Sequence, residues 1–180
     1  MPGEMVTTET ARRRFALLVL PHLDDAYTLA RWLTGQGADA EDVVQEACLR
    51  ALRALESTEV AQPRAWLLSI VRNTAFTWIA KNRPKAMIVA RDEEDDLHGN
   101  EVADSAPLPD EALIARADRS KVRDAIAGLP DVFREAIVMR EINGLSYREI
   151  AESCGVPIGT VMSRLARART LLMQALAGTA

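Results

Sequence analysis

The run from Gly144 to Arg169 constrains this chain more than any other stretch. Ser146 is followed three residues later by Glu149, a capping box that predicts a helix starting at Ser146. Ile150 and Ala151 give that helix its buried face. Gly155 supplies the positive φ that ends it, and Val156 fills the corner beyond. Pro157 fits the start of a second helix, where its missing N–H costs nothing. Val161, Leu165, Ala168, Leu172 and Leu176 then recur at helical spacing as an inward stripe. The other face carries Thr160, Ser163, Arg164, Arg167 and Arg169, with no carboxylate between Pro157 and Ala180. A merely solvated helix usually mixes its charges for pairing. A one-signed face of threonine, serine and arginine suits phosphates and guanine edges instead. The spacing therefore predicts a helix-turn-helix whose second helix meets DNA.

Composition says what surrounds this unit. Aromatic residues make up 4% of the 180. β-Branched runs are scarce, while Ala, Leu, Arg and Glu abound, which points to an all-α protein. No apolar run is long enough to span a bilayer, and the start carries no secretory signal, so a cytoplasmic protein without membrane insertion is expected. Cys48 and Cys154 fall in predicted helices without ligand-spaced partners and read as reduced core thiols. His22 and His98 are isolated. No metal site, cofactor or nucleophile–base pair is expected, and an enzyme is the least supported class.

A net charge of −4 argues at first against nucleic acid. The distribution reverses that inference. Pro63 to Arg91 holds Arg64, Arg72, Lys81, Arg83, Lys85 and Arg91 with no acid, whereas Asp92 to Glu111 is rich in Asp and Glu with no Lys or Arg. Basic and acidic regions are segregated along the chain.

Residues up to about 11 are expected to lack structure. Arg12 to Leu20 reads as a helix interrupted at Pro21, and another runs from His22 to Thr34, closed by Gly35. Asp39 is the expected cap of the next helix, with Glu41 and Asp42 in its first turn. Val44, Ala47, Ala51, Leu52 and Leu55 would be its buried side, leaving Asp42, Gln45, Glu46 and Leu49 outward. Arg64 to about Asn82 follows, with Trp66, Leu67, Ile70, Val71, Thr74 and Trp78 inward and both tryptophans assigned to the core. Beyond the acidic, proline-containing linker, Leu113 to Ala127 is helical. Asp131 then caps Val132 to Ile142, with Phe133, Ile137, Val138 and Ile142 inward. The expectation is two small helical domains, 12–86 and 112–178, joined by an acidic flexible linker at 87–111, the C-terminal domain being the helix-turn-helix.

Two segments of that domain, Ser146–Ala151 and Gly159–Arg169, resemble the last domain of bacterial sigma factors, and most closely the extracytoplasmic-function (ECF) group. Asp39–Glu46 resembles the sigma segment that docks on the clamp coiled coil of RNA polymerase. On its own that face reads as a solvated helix surface; the resemblance implies that Asp42, Gln45, Glu46 and Leu49 bind core polymerase. Pro63–Ala75 resembles the helix that reads the minus-ten element. It implies that Asn73 lies near a pocket for an extruded base, with Arg72, Lys81 and Arg83 contacting DNA nearby. Thr160, Ser163, Arg164, Arg167 and Arg169 would meet the minus-thirty-five duplex. Met162 departs from the family, which often has Lys or Arg there, and Ala166 is small where a larger side chain can occur. The resemblance implies core RNA polymerase, promoter DNA and an anti-sigma factor as partners. The linker would thread a basic polymerase channel or serve solubility, and its residues do not decide which. The rival reading is an autonomous helix-turn-helix transcriptional regulator, which would need a dimer seam; no sustained heptad pattern supplies one.

Overall fold

The computed structural model describes residues 2–82 and 119–177, all of them helix, turn or loop. α1 (Pro2–Leu18) includes the residues expected to lack structure. Nothing between Gly3 and Leu18 breaks a helix, so one nucleated in Arg12–Leu18 propagates back toward the start. Pro21 sits in a short 3-10 turn, Leu20–His22, that redirects the chain into α2 (Leu23–Thr34). Gly35, at φ 89°, ends α2 in the left-handed region. α3 (Gly37–Ala54) is preceded by Gln36 in extended conformation, so Asp39 lies inside the first turn and is not the cap. There its charge still favours the positive end of the helix dipole.

α4 (Pro63–Asn82) packs with α2 and α3 around Leu29, Leu33, Val43, Leu55, Leu67, Leu68 and Val71. Arg14 of α1 donates to the carbonyls of Leu55 and Thr58, closing the end of α3 and the loop beyond it. In α3 the buried register is Ala40, Val43, Ala47 and Ala51, with Val44 and Leu52 half-buried. Trp66, Ile70 and Trp78 are half-buried against the core.

Residues 119–127 are helical (α5), and the turn at 128–130 leads into α6 (Asp131–Ile137). Asp131 is the first residue of α6, and Pro130 precedes it as the cap. The chain then widens into a π-helical segment, Val138–Ile142, in which Asn143 N–H reaches back to the Val138 carbonyl at 2.9 Å. The wider turn moves Ile142 off the expected inward stripe, to 39% exposure. α7 (Tyr147–Cys154) and α8 (Ile158–Ala177) complete a second bundle over Ile137, Met139, Leu145, Ile150, Val161 and Leu165.

The two bundles also pack on each other, through α4 against α7 and α2 against α6. Arg64 pairs with Asp25 at 2.6 Å and donates to the carbonyl of Asn143. Asn143, 1% exposed, donates its amide to the Asp25 carbonyl at 3.2 Å. The linker expected at 87–111 lies outside the described residues.

Candidate nucleic-acid interface

The capping box forms as the spacing dictates. Ser146 N–H donates to Glu149 Oε2 at 2.7 Å, and Glu149 N–H donates to Ser146 Oγ at 3.2 Å. These bonds hold the Glu149 carboxyl below its usual value, the Ser146 side-chain bond contributing most. Gly155 adopts φ 64°, and nothing lies within 4 Å of where a Cβ would stand, so the backbone angle alone demands glycine there. α8 then begins at Ile158 directly after Pro157.

Val161, Leu165 and Ala168 are buried and Leu172 is half-buried, as the periodicity requires, while Leu176 is 38% exposed near the helix end. That inward stripe turns Ser163 and Arg167 to solvent, with Thr160 half-exposed beside them. Ser163 Oγ donates to the Thr160 carbonyl at 2.9 Å, keeping the hydroxyl close to the helix.

The arginines do not form one free face. Arg164 turns back to Glu135 of α6 at 3.0 Å, and Arg169 pairs with Glu141 at 2.8 Å. Both Arg169 and Glu141 are half-exposed, so that pair is cheap to break. The Arg164 pair is different, because the Glu135 side chain is fully buried. Of the three, Arg167 alone has no carboxylate against it among the described residues.

Glu135 also accepts from Arg72 of α4 at 2.7 Å, so one carboxylate holds an arginine from each bundle. Burial is the largest single influence and opposes the Arg72 charge, but the Glu135 hydrogen bond and the attraction of its charge together outweigh it, leaving the guanidinium above its ordinary pKa. Arg72 further stacks 4.5 Å over the Phe76 ring and donates to Asn73 Oδ1 at 3.0 Å. Asn73 itself is exposed, as is Lys81, whereas Arg83 lies outside the described residues. Burial raises the nearby Cys154 thiol to about 11, so it stays protonated and unreactive at neutral pH.

On α3, Asp42, Gln45 and Leu49 are exposed, Leu49 by 49%. Glu46 pairs with Arg50 one turn on at 2.7 Å. This patch is on a different helix from the arginine–Glu135 cluster. Sequence reasoning missed Glu135, Asp25, Arg64 and Asn143 as a group. A signal existed for the first: Glu135 interrupts the apolar run Phe133, Ala136, Ile137, Val138, where a charge needs a partner. Among the described residues no group of three or more His, Cys, Asp or Glu gathers that could hold a metal, and no helix is long and apolar enough to cross a membrane.

Comparison with known proteins covers both bundles. Residues 18–85 match the family described as Sigma-70 region 2, and residues 119–172 that described as Sigma-70, region 4. The chain is 32% identical over 166 residues to the ECF RNA polymerase sigma factor SigW of Bacillus subtilis, covering 90% of this chain and 88% of that one. It is 34% identical over 160 residues to the ECF RNA polymerase sigma factor SigE of Mycolicibacterium smegmatis, spanning 89% of this chain and 60% of that longer relative. A solved structure of the sigma factor RpoE in complex with the anti-sigma factor NepR, from Bartonella quintana, superposes with a TM-score of 0.66. It shares 26% identity and covers 92% of this chain and 96% of that one.

Proposed function

The chain belongs to the ECF group of RNA polymerase sigma factors, and from that premise we propose that it binds core RNA polymerase and directs it to promoters. The work is binding and positioning, with no bond made or broken by this chain, and it takes place in the cytoplasm. The first bundle engages core polymerase through Asp42, Gln45, Glu46 and Leu49, and captures the melted minus-ten strand around Asn73, with Arg72, Lys81 and Arg83 on the phosphates. The second bundle meets the minus-thirty-five duplex through α8. Thr160, Ser163 and Arg167 are its direct contacts, Arg169 follows once released from Glu141, and Arg164 supports the helix through Glu135.

The observation that carries this reading is α8 itself: a surface helix of 20 residues with no carboxylate, set on a capped helix-turn-helix. Phosphates around a duplex are what such a face attracts. A flipped minus-ten base costs a few kcal/mol, and a pocket that stacks it returns ~1–3 kcal/mol. Neither contact suffices alone, so the polymerase must link them. An autonomous regulator leaves the first bundle without a task. The structural relative is a complex with an anti-sigma factor, which supports a partner of that kind for this chain too.

The test is run-off transcription with core polymerase, with and without this chain, on fragments carrying candidate promoters. Discrete transcripts that need both components are expected. Tight, sequence-specific binding by the free chain, unaffected by core polymerase, would instead make it an autonomous regulator.

A further inference from the structure

The exposed side of α8 is not uniformly polar. Ile158, Met162 and Ala166 follow one another at four-residue spacing, all exposed, with Met162 at 53% and Ile158 at 42%. This apolar ridge borders the ridge of Gly159, Ser163 and Arg167 on the same outward side. A Cβ placed on Gly159 would meet nothing within 4 Å, so the ground between the ridges is low and open. An apolar ridge beside a serine and an arginine, on a helix free of carboxylates, fits a surface that is anionic at its rim and apolar within. The major groove offers phosphates at its rim and, inside it, the C5-methyl of thymine as its apolar feature.

We propose that Met162 reads a thymine: its thioether side chain packs on the C5-methyl of a thymine in the upstream duplex, making it a determinant of promoter sequence. The inference rests on the sigma reading of α8 and adds a base preference to it. The charge of the neighbouring Arg167 places the phosphate, and Met162, one to two turns nearer the start of the helix, reaches the base edge. Methionine suits the task because its flexible, polarizable chain conforms to a methyl surface at little cost. A protein partner covering the ridge is the competing occupant. It would leave Arg167 beside the contact without a carboxylate, unless that partner supplied one.

The experiment uses holoenzyme assembled from core polymerase and the full chain. Duplexes selected from a randomised upstream element provide the probe, and each selected thymine is replaced singly by deoxyuridine, which removes only the methyl. Wild type should bind roughly four-fold more weakly at one such position, the worth of one buried methyl group. Met162→Ala should bind the thymine duplex about as weakly as wild type binds the uracil duplex, with no further loss on uracil. Met162→Leu should retain the methyl dependence. Both variants alter an exposed side chain, and circular dichroism should show their helix content unchanged. The proposal falls if no thymine is methyl-dependent, or if the dependence survives in Met162→Ala. It falls equally if Met162→Ala weakens assembly with core polymerase while the uracil profile stays wild type, which would give the ridge to a protein. Failure of the selection to enrich any sequence would overturn the sigma reading and this inference together, whereas a successful selection with a flat uracil scan sinks only the inference.

Discussion

Arg164, Arg167 and Arg169 share a helix and a charge but have different surroundings. Arg167 is exposed and has no ion-pair partner among the described residues, Arg169 shares its charge with an exposed carboxylate, and Arg164 is tied to a buried one. Arg167→Ala should therefore weaken promoter binding on all sequences and reduce the salt slope by about one, as loss of a phosphate contact does. Arg164→Ala should act on the fold instead. Removing one partner of a buried ion pair costs about 3–5 kcal/mol. Arg72 remains on Glu135 and reduces that loss, so the lower end is expected. Thermal unfolding and salt-titrated binding on both variants separate the two effects, and an Arg164→Ala protein as stable as wild type would refute the assignment. Asn73 is exposed on α4, and its side-chain oxygen accepts from Arg72. Asn73→Ala is expected to impair strand opening while sparing assembly with polymerase, read by permanganate reactivity of the melted strand. Unchanged reactivity would remove Asn73 from the site.

At the scale of elements, α7 depends on its first residues. It has 8 residues, too few to persist without a cap and packing. Ser146→Ala deletes one arm of the reciprocal pair and should cost about 1 kcal/mol, seen as a lower melting temperature with an unchanged folded-state spectrum. This element was legible in the sequence because everything that makes it is local: Ser146 and Glu149 are three residues apart, and Gly155 acts through its own φ. α4 was legible for a similar reason, as Pro63 starts it and a long apolar pattern carries it. The start of α3 was not, because an acidic first turn looks the same whether Asp39 caps it or lies within it. The inward side of α3 keeps Ala47, Ala51 and Leu55 as expected but widens to take in Ala40 and Val43, because α3 packs against α1, α2 and α4 rather than one neighbour. The free arginine face was misjudged because the partners of Arg164 and Arg72 lie 29 and 63 residues away. No spacing rule reaches that far.

The whole molecule brings its two bundles together through Asp25, Arg64, Asn143, Arg72 and Glu135. The Arg64 hydrogen bond is the main cause holding the Asp25 carboxyl below its ordinary 3.8, with burial opposing. A lowered folded-state pKa means that the contribution of the pair is complete at neutral pH and is lost as pH falls through that lowered value. The distance between fluorescent labels on α3 and α8 should thus hold constant in neutral and mildly acidic solution and lengthen only below pH 3.8. Asp25→Asn should lengthen it at neutral pH. Reversing Asp42 and Glu46 to Lys tests a surface remote from this contact. Assembly with core polymerase should fail while the label distance stays that of wild type.

The carboxylate shared by Arg72 and Arg164 has a consequence for stray binding of the free chain to DNA. When the bundles part, Glu135 keeps Arg164, and Arg72 alone is left seeking an anion. On the proposed function that anion is a promoter phosphate, so the closed chain carries its own decoy for the nucleic-acid backbone. A decoy on the same chain acts at an effective concentration on the order of millimolar. Scattered phosphate contacts on random DNA, with dissociation constants around 10⁻⁴–10⁻⁶ M at physiological salt, then have to displace a resident competitor. The handicap is the same for every sequence that the free chain meets, and on the proposed function polymerase relieves it by holding the bundles apart. Glu135→Gln should therefore make the free chain bind random duplexes more readily while adding little to the promoter affinity of the holoenzyme, as gel shifts with and without core polymerase would read.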